Sequence, residues 1–157
     1  MRVGEVVEDF ELPDETGRPR RLSGFLTGGS VVLFFFPAAL APLCVKEACR
    51  FRDMAAEFAR FGAQPVGISG DAVRRQQSFV NTHSLGYPLL SDRDGTIRER
   101  FHIIRGYAPD FAPPWAKFRR NTYLIGRDGR LLDVIRSDLR PSVHADLALE
   151  YFRQRSR

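Results

Sequence analysis

Residues 31–36 form an unbroken run of valine, leucine and phenylalanine that Pro37 ends, and this run sets narrow limits on the fold. A continuous apolar stretch of β-favouring residues is typical of a strand that is buried on both faces of a sheet. Proline has no backbone N–H to donate to a neighbouring strand, so it stops the run. We therefore predict a central, fully buried strand here.

Strand and helix patterns alternate through the rest of the chain. Apolar residues at three- and four-residue steps predict a long helix with Gly62 as its C-cap, and Asp71 and Ser142 stand at the N-cap positions of two later helices. The predicted helices cover 43–61, 71–83, 96–101 and 142–152, and the predicted further strands cover 65–69, 87–90, 121–125 and 131–136. A stretch rich in glycine, proline and aromatic residues, 104–118, predicts a loop.

These elements predict an α/β fold with a central mixed β-sheet flanked by helices. Strands that alternate with helices form a partly parallel sheet, and the late hairpin around 126–129 adds an antiparallel edge. Two short strands at 10–12 and 20–22 predict an N-terminal β-hairpin extension. Since 157 residues is the length of one domain and no linker or repeat divides them, we expect a single domain over 1–157.

The composition excludes several classes of protein. With 43% apolar and 27% charged residues, the chain has enough apolar side chains to bury a core. It has no apolar stretch near the roughly 18 residues that a membrane span needs, so we expect no membrane partner. The acidic N-terminal residues do not match a signal peptide. We therefore expect a reducing, cytoplasmic location.

The two cysteines are the strongest chemical signal. Cys44 and Cys49 are too few for a disulfide framework or a four-ligand zinc site. Cys44 falls in the first turn of the predicted long helix, two residues after Pro42. Unpaired N–H groups and the positive end of the helix dipole favour a thiolate there, so we expect a lowered pKa for Cys44.

The spacing of the cysteines restricts how they can react with each other. A separation of five residues in an α-helix places the two Cα atoms about 8–9 Å apart and about 140° around the axis. A disulfide tolerates Cα separations of up to about 7 Å. Cys44 and Cys49 therefore cannot form a bond until the first turn of the helix unwinds. The alternative for Cys49 is a role as core filler among its apolar neighbours.

Metal and nucleic-acid binding have little support. His83, His102 and His144 are scattered without ligand spacing, so we expect no metal site and interpret each as a surface or capping residue. The net charge of +5 comes from arginines spread along the chain among 19 acidic residues, which is typical of a solvated surface. No glycine-rich phosphate loop is present, and we expect no cofactor.

The segment at 34–37, Phe-Phe-Phe-Pro, and that at 42–53, Pro-Leu-Cys-Val-Lys-Glu-Ala-Cys-Arg-Phe-Arg-Asp, resemble the active site of peroxiredoxins. The resemblance is to the bacterioferritin-comigratory or PrxQ-like group of the AhpC/TSA family. It extends over nearly the whole chain, through further motifs at 3–4, 9–13, 67–71, 87–92 and 120–125. It implies a thioredoxin-like fold and a thiol peroxidase.

The resemblance also implies roles for particular residues. Cys44 matches the peroxidatic cysteine, which becomes a sulfenic acid, and Cys49 matches the resolving cysteine, which forms an intramolecular disulfide with it. A thioredoxin-type dithiol would restore both thiols. Arg120 matches the arginine that lowers the thiol pKa and polarises the peroxide. Its neighbour Arg119 is the weaker candidate.

One departure from the family motif concerns the peroxide site. The resemblance assigns this site to five positions: Pro37, Ala41, Pro42, Leu43 and Glu47. The family has a threonine or serine hydroxyl where Ala41 stands. We therefore expect a weakened peroxidase, unless Thr122 or a bound water replaces the hydroxyl. The apolar residues around Cys44 also favour organic hydroperoxides.

Three alternatives stay open at this point. A redox-sensing or interaction protein derived from a peroxiredoxin would fit the missing hydroxyl. Glu47 and the Arg52-Asp53 pair match the motif, but a purely surface role fits them equally. Both a monomer and a homodimer are compatible with the sequence. A thiol-disulfide oxidoreductase is disfavoured, because such enzymes use Cys-x-x-Cys, in which the pair can bridge within one turn.

Overall fold

The computed structural model describes residues 1–103, 120–136 and 140–156. The predicted loop at 104–118 and the arginine at 119 lie outside them. The strands are β1 Glu11–Pro13, β2 Pro19–Arg21, β3 Ser30–Phe35, β4 Ala63–Ser69, β5 Leu89–Ser91, β6 Asn121–Ile125 and β7 Leu131–Arg136. The helices are α1 Leu22–Leu26, α2 Pro42–Asp53, α3 Ala55–Arg60, α4 Val73–His83, α5 Thr96–Arg100 and α6 Val143–Arg155.

The described strands form a five-stranded mixed sheet and a separate N-terminal hairpin. The sheet order is β5-β4-β3-β6-β7. The pairs β3–β4 and β4–β5 are parallel, whereas β3–β6 and β6–β7 are antiparallel. The strands β1 and β2 pair antiparallel with each other. This architecture confirms the predicted α/β fold, and β3 is the central strand.

The residues of β3 and Phe36 alternate between two cores, one on each face of the sheet. On one face Phe34 stacks on Phe51 of α2 at 4.3 Å between ring centroids, in a cluster that also contains residues of α3, α4 and α6. On the other face Leu33 and Phe35 pack with residues of α1 and α5. Because side chains alternate along a strand, the apolar run at 31–36 can fill both cores. The first core fixes the position of α2 on the sheet.

The predicted helix over 43–61 is in fact two helices, which corrects that prediction. The helical ladder breaks at Met54, which has φ −100° and ψ 3° and whose N–H is shared between the carbonyls of Arg50 and Arg52. Phe51 and Phe58 are fully buried on either side of the break. The apolar face therefore continues through the break, which is why the sequence pattern resembled one helix. Gly62 follows α3 with φ +65°, as expected of a C-terminal glycine.

Of the two predicted helix N-caps, one lies a residue later in the structure and the other is confirmed in position. The N-cap of α4 is Ala72 rather than Asp71, whose carboxylate binds elsewhere. Ser142 does precede α6, but its side chain makes no capping bond to any described residue. Capping preference is a local signal, whereas the carboxylate of Asp71 binds the backbone of the distant residue Ala39. The predicted strand at 87–90 lies slightly later, as β5.

Candidate active site

Cys44 is the third residue of α2 and is buried, with 1% of its surface exposed. The helix begins immediately after Ala41, whose extended backbone (φ −67°, ψ 141°) makes it the N-cap, and Pro42 is its first residue. Proline is favourable there because the first N–H of a helix has no intrahelical partner. The sulfur thus lies at the positive end of the helix dipole, as the sequence predicted.

Arg120 brings a positive charge to this sulfur from a distant part of the chain. It directly precedes β6 and is 5% exposed. Its Nη2 donates to Cys44 Sγ at 3.2 Å, and its Nη1 donates to Glu47 Oε1 at 3.3 Å. The antiparallel pairing of β6 with β3 carries the arginine to the end of β3 from which the chain leads into α2. The planar guanidinium can therefore hold the sulfur and the carboxyl group at once.

Glu47 lies behind Arg120 and is completely buried. This position excludes the surface role that was open for Glu47. By contrast, Arg52 is partly exposed and Asp53 is largely exposed. Burial raises the pKa of Glu47 to about 8, although Arg120 opposes the shift. The carboxyl group is consequently mostly protonated at neutral pH. A neutral Glu47 leaves the charge of Arg120 available to the sulfur.

The expected lowering of the Cys44 pKa is not what the structure favours. Burial raises the pKa of the Cys44 thiol, while the Arg120 guanidinium and a backbone hydrogen bond from Ala38 act against this rise. Burial outweighs them because a sulfur that is almost inaccessible to water loses nearly all of its hydration as a thiolate. Burial therefore favours the protonated thiol, although Arg120 and the Ala38 backbone stabilise its anion.

His144 was expected at the surface or as a cap, and this interpretation is wrong. It is the second residue of α6 and is completely buried. Its Nδ1 lies 2.7 Å from Thr122 Oγ1 and 3.8 Å from Glu47 Oε2. Thr122 was a candidate for the missing peroxide-binding hydroxyl, but its hydroxyl is engaged by His144.

The remaining predicted peroxide-site residues surround the start of α2. Pro37 and Ala41 are partly buried, Pro42 is exposed, and Leu43 is 47% exposed. An alanine side chain has no group that can bind peroxide or cap the helix. The side chains of Ala41 and Leu43, at the surface around the start of α2, are therefore apolar.

Cys49 is the eighth residue of α2 and is partly buried. Both cysteines are reduced, and the helix runs without interruption between them. This arrangement agrees with the prediction that no bond between them can form in the intact helix. Side-chain bonds tie α2 to its surroundings: Tyr87 Oη donates to the Ala48 carbonyl at 2.6 Å, and Arg50 Nη2 lies 2.7 Å from Asp146 Oδ1.

Among the described residues, no group of three or more His, Cys, Asp or Glu side chains could hold a metal ion. Within the same ranges, no helix is long and apolar enough to cross a membrane.

Sequence comparison finds relatives over nearly the whole chain. Residues 3–134 match the AhpC/TSA family. A putative peroxiredoxin of Mycobacterium tuberculosis is 50% identical over 153 residues, which cover 98% of this chain and 97% of that protein. A chloroplastic peroxiredoxin Q of Sedum lineare is 34% identical over 150 residues, covering 94% of this chain and 75% of that protein.

Solved structures show the same similarity in three dimensions. Peroxidoxin BcpB from Mycobacterium tuberculosis superimposes with a TM-score of 0.87 at 49% identity, covering 98% of this chain and 97% of that one. A PrxQ variant from Xylella fastidiosa superimposes with a TM-score of 0.89 at 24% identity, covering 100% and 98% of the two chains, and it bears on the fold alone. These structures confirm the predicted thioredoxin-like fold.

Proposed function

The chain belongs to the AhpC/TSA family, whose peroxiredoxins are thiol peroxidases, and on this premise we propose how its two cysteines divide the reaction. Cys44 is the peroxidatic cysteine and Cys49 the resolving one. The oxidised pair is a Cys44–Cys49 disulfide, which a thioredoxin-type dithiol reduces by exchange. Hydrogen peroxide and organic hydroperoxides are the substrates.

The observation that supports this assignment is the 3.2 Å contact between Arg120 Nη2 and Cys44 Sγ. In the first step the Cys44 thiol gives up its proton, the resulting thiolate sulfur attacks the terminal oxygen of ROOH, a sulfur–oxygen bond forms and the oxygen–oxygen bond breaks. The sulfur becomes a sulfenic acid, and the departing RO⁻ takes a proton to become an alcohol or water. Arg120 stabilises the thiolate beforehand and the negative charge that moves onto the peroxide oxygens in the transition state.

In the second step the sulfur of Cys49 attacks the sulfenic sulfur of Cys44. The sulfur–sulfur bond forms, and the sulfenic hydroxyl leaves with the proton of the Cys49 thiol as water. This step requires the first turns of α2 to open, because the two residues belong to one continuous helix. Resolution is therefore coupled to a local unfolding of the active-site helix.

The surroundings of the sulfur favour apolar peroxides. The exposed side chain of Leu43 lies next to Cys44 in the chain, and the preceding residues Leu40 and Ala41 pack against the apolar core. A substrate with a hydrocarbon tail would bury part of this surface on binding. We expect a higher second-order rate constant for an alkyl hydroperoxide than for hydrogen peroxide, and equal constants across a panel of peroxides would remove this preference.

Intact mass spectrometry after one equivalent of peroxide tests the division of roles. The wild type should lose two hydrogens, Cys49→Ser should gain one oxygen, and Cys44→Ser should not react. An unchanged Cys49→Ser mass, or an oxygen gained by Cys44→Ser, would contradict the assignment.

A redox-sensing protein with little turnover is the second candidate, and the alanine at position 41 is the observation that favours it. Such a protein would form the same disulfide but would react slowly. Sustained peroxide consumption in the presence of thioredoxin and its reductase supports the enzyme. A single turnover followed by no further consumption supports the sensor.

A further inference from the structure

An aspartate outside the catalytic cluster holds the loop that leads into α2. Oδ2 of Asp71 accepts hydrogen bonds from the backbone N–H of Ala39 at 2.7 Å and from the hydroxyl of Ser69 at 2.6 Å. Arg75 Nη2 donates to the Ala39 carbonyl at 3.4 Å, and its Nε lies 3.6 Å from Asp71 Oδ1. Both backbone groups of one buried loop residue are thus held by side chains from the start of α4.

Ala39 lies between two residues that shape the site. Ala38, directly before it, has a backbone N–H that favours the Cys44 thiolate and so acts to lower the pKa of that thiol. Leu40, directly after it, has φ +67°, in the left-handed region that residues other than glycine rarely adopt. A conformation of this kind persists only where its surroundings hold it. The contact with Asp71 is therefore one of the interactions that keep the loop in its present shape.

The same loop must move when the two cysteines join. Unwinding the first turn of α2 displaces Pro42, Leu43 and Cys44, and Ala39 lies only a few residues upstream of them. A loop that remains bound at Ala39 limits how far the sulfur of Cys44 can travel towards Cys49. Release of this contact would also allow Leu40 to leave its left-handed conformation. The contact between Asp71 and Ala39 thus lies where the loop would have to move when the first turn of α2 unwinds.

We propose that Asp71 is a positioning residue that stabilises the closed loop, in which Cys44 reacts with peroxide, against the open loop, in which Cys49 reaches it. This inference rests on the proposed function, since it concerns the two steps assigned there. It predicts opposite effects on those steps. A weaker contact makes the sulfur less well placed for peroxide, but it makes the open conformation more populated.

The variant Asp71→Ala should therefore separate the two rate constants. Loss of hydrogen bonds to a charged acceptor should accelerate Cys44–Cys49 disulfide formation by about tenfold, because the open population rises. Sulfenic acid formation should slow by roughly three- to tenfold, because Ala38 and the sulfur are less well oriented. A residue that merely contributes to overall stability would not accelerate one step while slowing the other.

Rapid quenching followed by intact mass spectrometry measures both steps, as the gain of one oxygen and then the loss of two hydrogens relative to the reduced protein. Asp9→Ala is the matched control, because Asp9 also accepts one backbone N–H and one hydroxyl, both from Ser23 at 2.8 Å, in the N-terminal part of the chain. It should leave both rate constants close to those of the wild type. Asp71→Asn, which keeps an acceptor oxygen without the charge, should shift both constants in the same directions by less.

Slowing of both steps in Asp71→Ala, or an unchanged disulfide step, would overturn the inference. If Asp71→Ala does not fold, as judged by circular dichroism, Asp71→Asn carries the comparison under the same criterion. A wild type that forms sulfenic acid but no intramolecular disulfide would instead overturn the proposed role of Cys49. That failure is visible before any Asp71 variant is compared.

Discussion

Replacing Ala41 by threonine should both accelerate peroxide reduction and stabilise the protein. Ala41 is the N-cap of α2, and its extended backbone is the conformation that a capping residue adopts. A threonine hydroxyl there can accept a hydrogen bond from the backbone N–H of Leu43 or Cys44, the second and third residues of the helix. Its own proton remains free to bind a peroxide oxygen above the sulfur.

The two effects have separate magnitudes. Removing one preorganised donor from a developing oxyanion typically costs about 2.7–4 kcal/mol, so restoring one should raise the rate by roughly 100- to 1,000-fold. An N-cap side chain contributes about 0.5–2 kcal/mol to stability. In a chain of this size each kcal/mol raises Tm by about 2–4 °C. The catalytic gain should therefore greatly exceed what stabilisation alone would produce.

The assay is the second-order rate constant for oxidation of Cys44 by hydrogen peroxide, together with Tm, for three variants. Ala41→Val has the shape of threonine without the hydroxyl, and Ala41→Ser has the hydroxyl without the methyl group. Threonine and serine should raise both quantities, and valine neither. If Ala41→Thr raises Tm but leaves the rate unchanged, or if valine is as fast as threonine, the explanation by a lost hydroxyl is refuted.

Three further predictions concern the charges around the sulfur. Arg120→Lys should lower the peroxide rate constant by at least about tenfold, since an ammonium group cannot hold Cys44 and Glu47 with a planar fork, and stopped-flow kinetics measures it; an unchanged constant would contradict this. Because burial raises the Cys44 pKa, alkylation by iodoacetamide in the Cys49→Ser background should still accelerate between pH 8 and 9; a plateau by pH 7 would show a low pKa instead. Burial also raises the Glu47 pKa from 4.5 to about 8, so the folded state binds more protons than the unfolded state between these values, and the free energy of unfolding should fall as pH rises through this range. In urea titrations of the wild type, the free energy of unfolding should fall by roughly 3–5 kcal/mol over this pH range. Glu47→Gln should abolish the fall, whereas substitution of the partly exposed, ion-paired Glu57 should leave it unchanged. A fall in Glu47→Gln equal to that of the wild type would refute the assignment.

The local patterns predicted much of the fold because they report local physics. The apolar run at 31–36 is typical of a strand buried on both faces, and it is the centre of the sheet. The position of Cys44 in the first turn followed from Pro42, whose missing N–H suits the start of a helix. The break at Met54 could not be predicted in this way, because the buried face continues through it and only the packing of the two segments separates them.

In the active site, too, some features follow from short segments of sequence and others only from tertiary packing. The amino-acid sequence was sufficient to single out Cys44 and Cys49 as candidates and to show the family resemblance that pointed to Arg120, because these are matters of residue type and spacing within short segments. The burial of Glu47, the contact between His144 and Thr122 and the bond from Ala39 to Asp71 depend on groups that lie 22 to 97 residues apart and meet only when the chain folds. Burial also reversed the expected direction of the Cys44 pKa, since loss of hydration is a property of the packed core rather than of the segment that carries the thiol.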